Sequence, residues 1–175
     1  MPEARRAIVV MGVCGCGKSS VGTELATRLG APFVEGDALH PAANVAKMAA
    51  GAALTDTDRA PWLDALGARI AEEAAPVVVV SCSALKRAYR DRLRDGAGRE
   101  VAFLYLHGSR ELLAARMGAR EGHFMPPALL DSQLATLEDP RGEAGVATVG
   151  IDAPPAAIAA AALATPEIGG ASALR

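Results

Sequence analysis

Eight residues near the start of the chain constrain its fold more than any other feature. Residues 12–19 read Gly-Val-Cys-Gly-Cys-Gly-Lys-Ser and match the phosphate-binding pattern G-x-x-x-x-G-K-[ST]. The pattern is meaningful only where it joins a buried strand to a helix. The apolar, β-branched run at residues 7–13 predicts the strand, and the helical spacing of Val21, Leu25 and Leu29 predicts the helix. The sequence therefore meets both requirements.

This loop predicts a nucleotide site. Its glycines let successive backbone N–H groups point inward around phosphate oxygens, and the helix that follows adds the positive end of its dipole. Lys18 is predicted to reach the β- and γ-phosphates, and the Ser19 hydroxyl to bind a Mg²⁺ ion that bridges them. The predicted nucleotide-binding residues are Gly12, Val13, Cys14, Gly15, Cys16, Gly17, Lys18, Ser19 and Ser20.

Strand and helix patterns alternate along the rest of the chain. Apolar strands are predicted at residues 32–34, 77–80, 101–106 and 146–151. Helices are predicted at residues 41–74 in two pieces, and at 86–94, 109–119, 127–137 and 156–164. Continuous apolar strands that alternate with helices are typical of an α/β fold, with a parallel sheet covered on both faces by helices. We expect one domain over residues 1–165 and a flexible tail over residues 166–175.

Composition narrows the classes of partner. The chain has 175 residues and a formal net charge of -2 with scattered Lys and Arg, so no basic surface for nucleic acid is expected. Glycines and Lys18 interrupt the apolar start, and the Ala-rich stretch 156–164 is too short to cross a membrane. We therefore expect a cytoplasmic protein without a membrane partner. The three cysteines, Cys14, Cys16 and Cys82, do not suggest a disulfide framework.

Two acidic residues follow the second predicted strand. Glu35 and Asp37 lie at its carboxyl end, where the strands of an open parallel sheet face the ligand crevice. The next strand runs into Ser81 rather than into the Asp with which GTPases and ATPase motors hold Mg²⁺. We predict that Asp37 orients an acceptor hydroxyl and takes its proton, and that Glu35 holds Mg²⁺ through water.

Short motifs, of which the phosphate-binding loop is the first, occur along nearly the whole chain. They comprise residues 11–19, 35–41, 54–56, 61–63, 82–91, 105–106, 122–125 and 136–138, together with Asn44, Lys47, Met48, Gly51, Asp58, Arg59 and Gln133. On these motifs the sequence resembles the gluconokinases, a family of small P-loop carbohydrate kinases related to shikimate kinase. It differs from many members at Cys14 and Cys16, where serines are common, and at Glu35, where Asp is common. Neither difference removes a required function, because the loop binds phosphate mainly through backbone N–H groups.

The resemblance implies a reaction and a set of pocket residues. The expected reaction transfers the γ-phosphoryl group of ATP to the 6-hydroxyl of D-gluconate with the help of Mg²⁺, and yields 6-phospho-D-gluconate and ADP. Members of the family often form homodimers, which sets the same expectation for this chain. The residues expected to line the gluconate pocket are Asp37, His40, Asn44, Arg59, Lys86, Arg90 and Gln133.

Cations are expected at two places in this site. Arg59 is the first choice to hold the gluconate carboxylate, because a guanidinium binds bidentately whereas Lys86 offers a point charge, but both stay open. The resemblance also implies a mobile lid over about residues 116–127, in which Arg116 and Arg120 stabilise charge on the transferring phosphoryl group. Together with Lys18 and Asp37, these two arginines form the expected catalytic set.

Two other hypotheses stay open from the sequence. Shikimate kinases and nucleoside monophosphate kinases share the same fold and loop, so the fold alone does not identify the acceptor. The third hypothesis is a nucleotide-dependent switch or binding module. It is disfavoured because the sequence offers neither a strand-end Asp for Mg²⁺ nor a guanine-reading segment.

Overall fold

Five parallel strands form the centre of the molecule, which is described here by a computed structural model over residues 4–119 and 127–170. The strands are β1 (Arg6–Met11), β2 (Phe33–Glu35), β3 (Val77–Ser81), β4 (Glu100–His107) and β5 (Val146–Gly150). They form one sheet in the order β2-β3-β1-β4-β5. The predicted parallel sheet is confirmed.

Helices pack around this sheet. Those in the described residues are α1 (Lys18–Leu29), α2 (Ala42–Ala49), α3 (Asp56–Glu72), α4 (Arg87–Gly96), α5 (Arg110–Gly118), α6 (Pro127–Thr136), α7 (Pro155–Leu163) and α8 (Pro166–Gly169). A short 3-10 helix, Gly36–Leu39, directly follows β2. Helix α1 packs against α7, and α3 packs against α4. The alternation of strands and helices expected from the sequence is therefore confirmed.

Strand β1 is the most deeply buried element. Its apolar residues from Ala7 to Met11 have no exposed surface, because β3 and β4 pair with its two edges and helices cover the faces of the sheet. A parallel strand enclosed in this way needs apolar side chains on both faces, as the sequence run provides. Its carboxyl end leads directly into the loop that begins at Gly12, so the loop is attached to the buried central strand of the sheet.

The register of the strands brings three strand ends together. Glu35 at the end of β2 pairs with Ser81 at the end of β3, and Ser81 also pairs with Val10 of β1. Because all strands run in the same direction, their carboxyl ends meet at one edge of the sheet. The acidic residues after β2 therefore lie beside the glycine-rich loop after β1.

Helix α3 begins with a capping box that also fixes α2. The Thr55 hydroxyl accepts from the Asp58 backbone N–H at 3.1 Å, and the Asp58 carboxylate accepts from the Thr55 N–H at 2.8 Å. Lys47 of α2 donates to the same carboxylate at 2.6 Å, and this contact together with the two Thr55 hydrogen bonds lowers the pKa of Asp58 to about 2. The start of α3, which carries Arg59, is thus held in place by its own cap and by α2.

The segment expected to be a flexible tail begins with a short helix, and its residues 171–175 lie outside the described residues. Pro166–Gly169 forms the short helix α8, and its Ile168 is fully buried. The sequence pattern missed this helix because a single apolar residue carries the packing. Within the described residues, no helix has both the length and the apolar character needed to cross a membrane.

Candidate active site

A cavity of about 550 Å³ opens at the carboxyl edge of the sheet. The glycine-rich loop forms one wall, the segment after β2 forms another, and helices α3 and α6 complete it. The predicted site residues that line this cavity are Cys14, Gly15, Gly17, Lys18, Ser19, Glu35, Asp37, His40, Arg59 and Gln133. The structure therefore brings the predicted phosphate loop and much of the predicted acceptor pocket to a single site.

The loop packs closely against helix α5. Gly15 has a φ of +82°, and a Cβ there would lie 2.8 Å from the Met117 Cγ and 3.0 Å from the Leu113 carbonyl oxygen. Only glycine satisfies both the left-handed backbone and this close approach. Met117 also lines the cavity, although no sequence motif pointed to it. The position of the loop is therefore coupled to helix α5, whose last residues belong to the expected lid.

Lys18 folds back over its own loop. Its ammonium donates to the carbonyl oxygens of Gly12 and Val13, each at 3.1 Å. Burial acts to lower the pKa of Lys18, but the Cys16 sulfur and the Asp37 carboxylate outweigh it, so the pKa lies above its usual value. The cavity therefore contains a permanently charged ammonium next to its phosphate-binding backbone.

Glu35 connects the loop to the neighbouring strand. The Ser19 hydroxyl donates to one carboxylate oxygen of Glu35 at 2.6 Å, and the Ser81 hydroxyl donates to the other. Ser81 in turn accepts from the Gly36 N–H at 3.1 Å. In the sequence, Ser81 stands out only because it replaces the strand-end Asp of GTPases and ATPase motors. The structure shows that Ser81 fixes the Glu35 carboxylate beside the Ser19 hydroxyl.

Asp37 and His40 lie side by side in the cavity wall, in the segment that follows β2. The Asp37 side chain is 67% exposed, and its Oδ1 lies 3.8 Å from Nε2 of His40. The imidazole stacks on the indole of Trp62, with ring centroids 3.9 Å apart. Burial lowers the pKa of His40, and Arg59 acts in the same direction while Asp37 opposes it. His40 is therefore a neutral imidazole near pH 7.

Arg59 lines the cavity and is held there by a chain of hydrogen bonds that the sequence did not reveal. Its Nη1 donates to the Tyr89 hydroxyl at 3.0 Å, and that hydroxyl donates to the Asp56 carboxylate. The Tyr89 and Lys86 hydrogen bonds lower the pKa of Asp56, so it remains an anion. Lys86 donates to Asp56 at 3.0 Å and lies outside the cavity lining. Of the two candidate carboxylate-binding cations, only Arg59 lines the cavity.

Arg90 requires a correction. It was expected in the pocket, but its side chain is 1% exposed and pairs with Glu143 at 2.8 Å. Its Nη1 also donates to the carbonyl oxygen of Ala84 at 2.8 Å, and Ala84 has a left-handed φ of 46°. Arg90 therefore stabilises the strained turn after β3, which carries Ser83 into the cavity wall. The family motif includes Arg90 but does not show which way its side chain points.

Other expected site residues that are described but do not line the cavity are Asn44, Arg116, Gly12, Val13, Cys16 and Ser20. Asn44 is 4% exposed, and its amide nitrogen donates to the carbonyl oxygen of Asp58 at 2.9 Å. Arg116 of α5 donates to the backbone carbonyl of Ile151, at the end of β5. Arg120 lies outside the described residues, as does most of the segment expected to form a lid.

Gln133 of α6 lies against the phosphate loop. Its Oε1 accepts from the backbone N–H of Cys14 at 2.7 Å. In the loop pattern, such inward N–H groups are donors for phosphate oxygens. The side-chain amide oxygen of Gln133 therefore occupies a donor of the predicted phosphate site, although Gln133 was predicted to bind the acceptor substrate.

Comparison with known proteins agrees with this architecture. A family model described as an AAA domain matches residues 8–140. A gluconokinase of Gluconobacter oxydans (strain 621H) is 56% identical over 137 residues, covering 77% of this chain and 76% of that protein. The thermoresistant gluconokinase of Escherichia coli (strain K12) is 45% identical over 149 residues, covering 83% and 85% respectively. A solved gluconokinase structure from Sinorhizobium meliloti 1021 has a TM-score of 0.82 and 52% identity, covering 98% of this chain and 93% of that one.

The parallel sheet, the glycine-rich loop and the cavity beside it define a P-loop kinase. Among such kinases, identity above half of the aligned residues over most of both chains is decisive. The chain belongs to the gluconokinase family.

Proposed function

We propose that this protein transfers the γ-phosphoryl group of ATP to the 6-hydroxyl of D-gluconate, giving 6-phospho-D-gluconate and ADP. The observation that carries the proposal is one cavity in which Lys18 and Ser19 face Asp37 and Arg59. A phosphate-binding wall and an acid beside a cation fit a reaction between a nucleotide and a hydroxyl-bearing anion. Membership of the gluconokinase family supports gluconate as that anion.

Asp37 is the proposed general base for the acceptor hydroxyl. Its carboxylate accepts the proton of the 6-hydroxyl while that oxygen forms a bond to the γ-phosphorus and the bond to the ADP oxygen breaks. The charged Lys18 offsets negative charge that develops on the phosphoryl oxygens. We propose that Arg116 and Arg120 add to this stabilisation, which requires Arg116 to turn from the Ile151 carbonyl towards the phosphates.

The residues near the loop fit a magnesium ion. Ser19 and Glu35 present oxygen atoms 2.6 Å apart at the mouth of the phosphate site, and Mg²⁺ prefers oxygen ligands while keeping several waters. Ser19 would bind the ion directly, and Glu35 would hold it through water. When bound, the ion supplies positive charge next to the β- and γ-phosphates.

Tyr89 is proposed to hold Arg59 in position for the gluconate carboxylate. In Tyr89→Phe, Arg59 loses its hydroxyl acceptor, so KM for gluconate should rise about 10-fold while kcat changes little. Steady-state ADP release at varied gluconate measures both constants. The chain's only other tyrosine, Tyr105, has its hydroxyl 3.2 Å from His107, and Tyr105→Phe is the control. Equal KM values for Tyr89→Phe and the parent protein would contradict this role.

Gln133 is expected to affect nucleotide binding. A carboxylate at position 133 would lie near the Cys14 N–H and repel phosphate, so Gln133→Glu should raise Kd for ATP about 10-fold or more. Gln133→Leu leaves the N–H available and should bind ATP at least as tightly as the parent. Isothermal titration calorimetry measures both. If both variants bind ATP with the same Kd, the contact does not bear on the phosphate site.

The reaction itself is tested by ADP release from Mg-ATP with a panel of gluconate, glucose, shikimate and nucleoside monophosphates. Gluconate-dependent turnover with 6-phosphogluconate as product is the expected result. Turnover with another acceptor but not with gluconate would support a kinase activity and exclude gluconate as the substrate. Without acceptor-dependent turnover, a nucleotide-dependent switch or binding module would be the better hypothesis.

Three expectations from the sequence stay predictions. They are a homodimeric assembly, a cytoplasmic location and the absence of nucleic-acid partners. Light scattering coupled to size-exclusion chromatography measures the first directly. A mass twice that of the 17.9 kDa chain is the expected result.

A further inference from the structure

The imidazole of His40 is held in one orientation by its neighbours. It stacks on Trp62 with ring centroids 3.9 Å and planes 19° apart. Trp62 is itself fixed, because it is buried and its indole N–H donates to the Gly36 carbonyl oxygen at 2.8 Å. The ring plane of His40 is therefore set by packing, and its two nitrogens point to different partners.

Asn44 faces one of those nitrogens. The Asn44 side-chain nitrogen donates to the backbone carbonyl of Asp58 at 2.9 Å, and it lies 3.3 Å from Nδ1 of His40. A carbonyl oxygen can only accept, so the first contact determines which end of the Asn44 amide is the NH₂ group. The second hydrogen of that group then points to Nδ1.

A neutral imidazole carries a proton on one nitrogen and a lone pair on the other. If Nδ1 faces an N–H donor, then Nδ1 must carry the lone pair and Nε2 the proton. The lowered pKa of His40 keeps the ring neutral near pH 7, so that the tautomer is well defined. Nε2 is the nitrogen that lies 3.8 Å from Oδ1 of Asp37.

We propose that Asn44 is a positioning residue that sets the tautomer of His40, so that the ring presents Nε2–H, not a lone pair, to the Asp37 carboxylate. The opposite tautomer would place two acceptors opposite each other at the site of the acceptor hydroxyl. With the proton on Nε2, the His40 N–H group attracts the Asp37 carboxylate and helps to keep it turned towards the cavity. This explains why Asn44 belongs to the family motif although it lies outside the cavity lining. The catalytic consequence rests on the proposed phosphorylation of gluconate, but the tautomer does not.

The tautomer can be measured in the intact protein without any substrate. Long-range ¹H–¹⁵N correlation spectra of histidine-labelled protein distinguish Nδ1–H from Nε2–H rings. The chain has three histidines, and the signals lost in His40→Gln identify His40. At about pH 8, where the ring is neutral, the parent protein should show a single Nε2–H tautomer for His40. A dominant Nδ1–H form, or a mixture, in the parent protein would overturn the proposal.

Variants of Asn44 then test what sets the tautomer. In Asn44→Asp a carboxylate faces Nδ1 and should shift the ring to the Nδ1–H form, whereas Asn44→Ala should give a mixture. Lys47→Met is the matched control, because it breaks the Lys47–Asp58 link between α2 and α3 without touching His40. It should keep the parent tautomer. A shift in Lys47→Met as large as that in Asn44→Ala would show a general packing effect and reject the specific role.

Activity gives a separate readout. Asn44→Ala should lower kcat for gluconate about 10-fold with KM for ATP unchanged. Lys47→Met loosens the start of α3, which carries Arg59, so its effect should fall on KM for gluconate and leave kcat near the parent value. A shifted His40 tautomer with an unchanged kcat would show that Asn44 has no role in the reaction. Failure of the parent protein to phosphorylate gluconate would refute the proposed function and leave the tautomer result intact.

Discussion

Replacement of Asp37 by Asn should lower kcat for gluconate phosphorylation by about 10²- to 10⁴-fold, the range typical of a lost general base. An amide has the same shape as the carboxylate but cannot take the hydroxyl proton. The Asp37 side chain is 67% exposed in the cavity, so the fold does not depend on it. The variant should therefore remain folded and still bind ATP.

The measurement compares kcat from ADP release with the Kd of ATP from calorimetry. Asp152→Asn is a matched control, because Asp152 is an exposed acid outside the cavity lining. We expect its kcat to equal that of the parent. If kcat of Asp37→Asn stays within about 3-fold of the parent, Asp37 does not take the proton and another group must be sought.

The phosphate half of the site was predictable from sequence because its geometry is local. Residues 12–19 adjoin each other in the chain, and a buried strand before them and a helix after them leave the backbone few alternatives. The acidic pair was predictable for a related reason. Parallel strands end at a common edge, so residues after β2 had to lie near the loop after β1.

The contacts that hold the site's side chains in place were not predictable, because they join residues far apart in sequence. Tyr89 lies 30 positions from Arg59, and Ser81 lies 46 positions from Glu35. No periodicity or spacing links such pairs. Only the packing of α3 against α4 and the register of β2 on β3 bring them together.

Family motifs also left the direction of side chains undetermined. Arg90 and Asn44 belong to motifs that suggested substrate contacts, yet both are buried beside the cavity and hold other groups in place. A motif records that a position matters for the site. Whether the side chain touches the substrate or supports a residue that does so depends on backbone geometry, which the sequence pattern does not contain.

Gly36→Ala should be the most disruptive single-methyl change near the site. A Cβ at Gly36 would lie 1.9 Å from the carbonyl oxygen of Ser81, and Gly36 cannot move away because Ser81 and Trp62 bind its N–H and carbonyl. We expect the free energy of unfolding to fall by about 3 kcal/mol or more, measured by urea denaturation, with kcat/KM reduced because Glu35 and Asp37 flank the clash. Gly96→Ala is the control, since its Cβ would meet the nearest described atom at an ordinary 3.6 Å and should be tolerated. Equal stability of the two variants would mean that the strand end at Gly36 is far more adaptable than its hydrogen bonds imply.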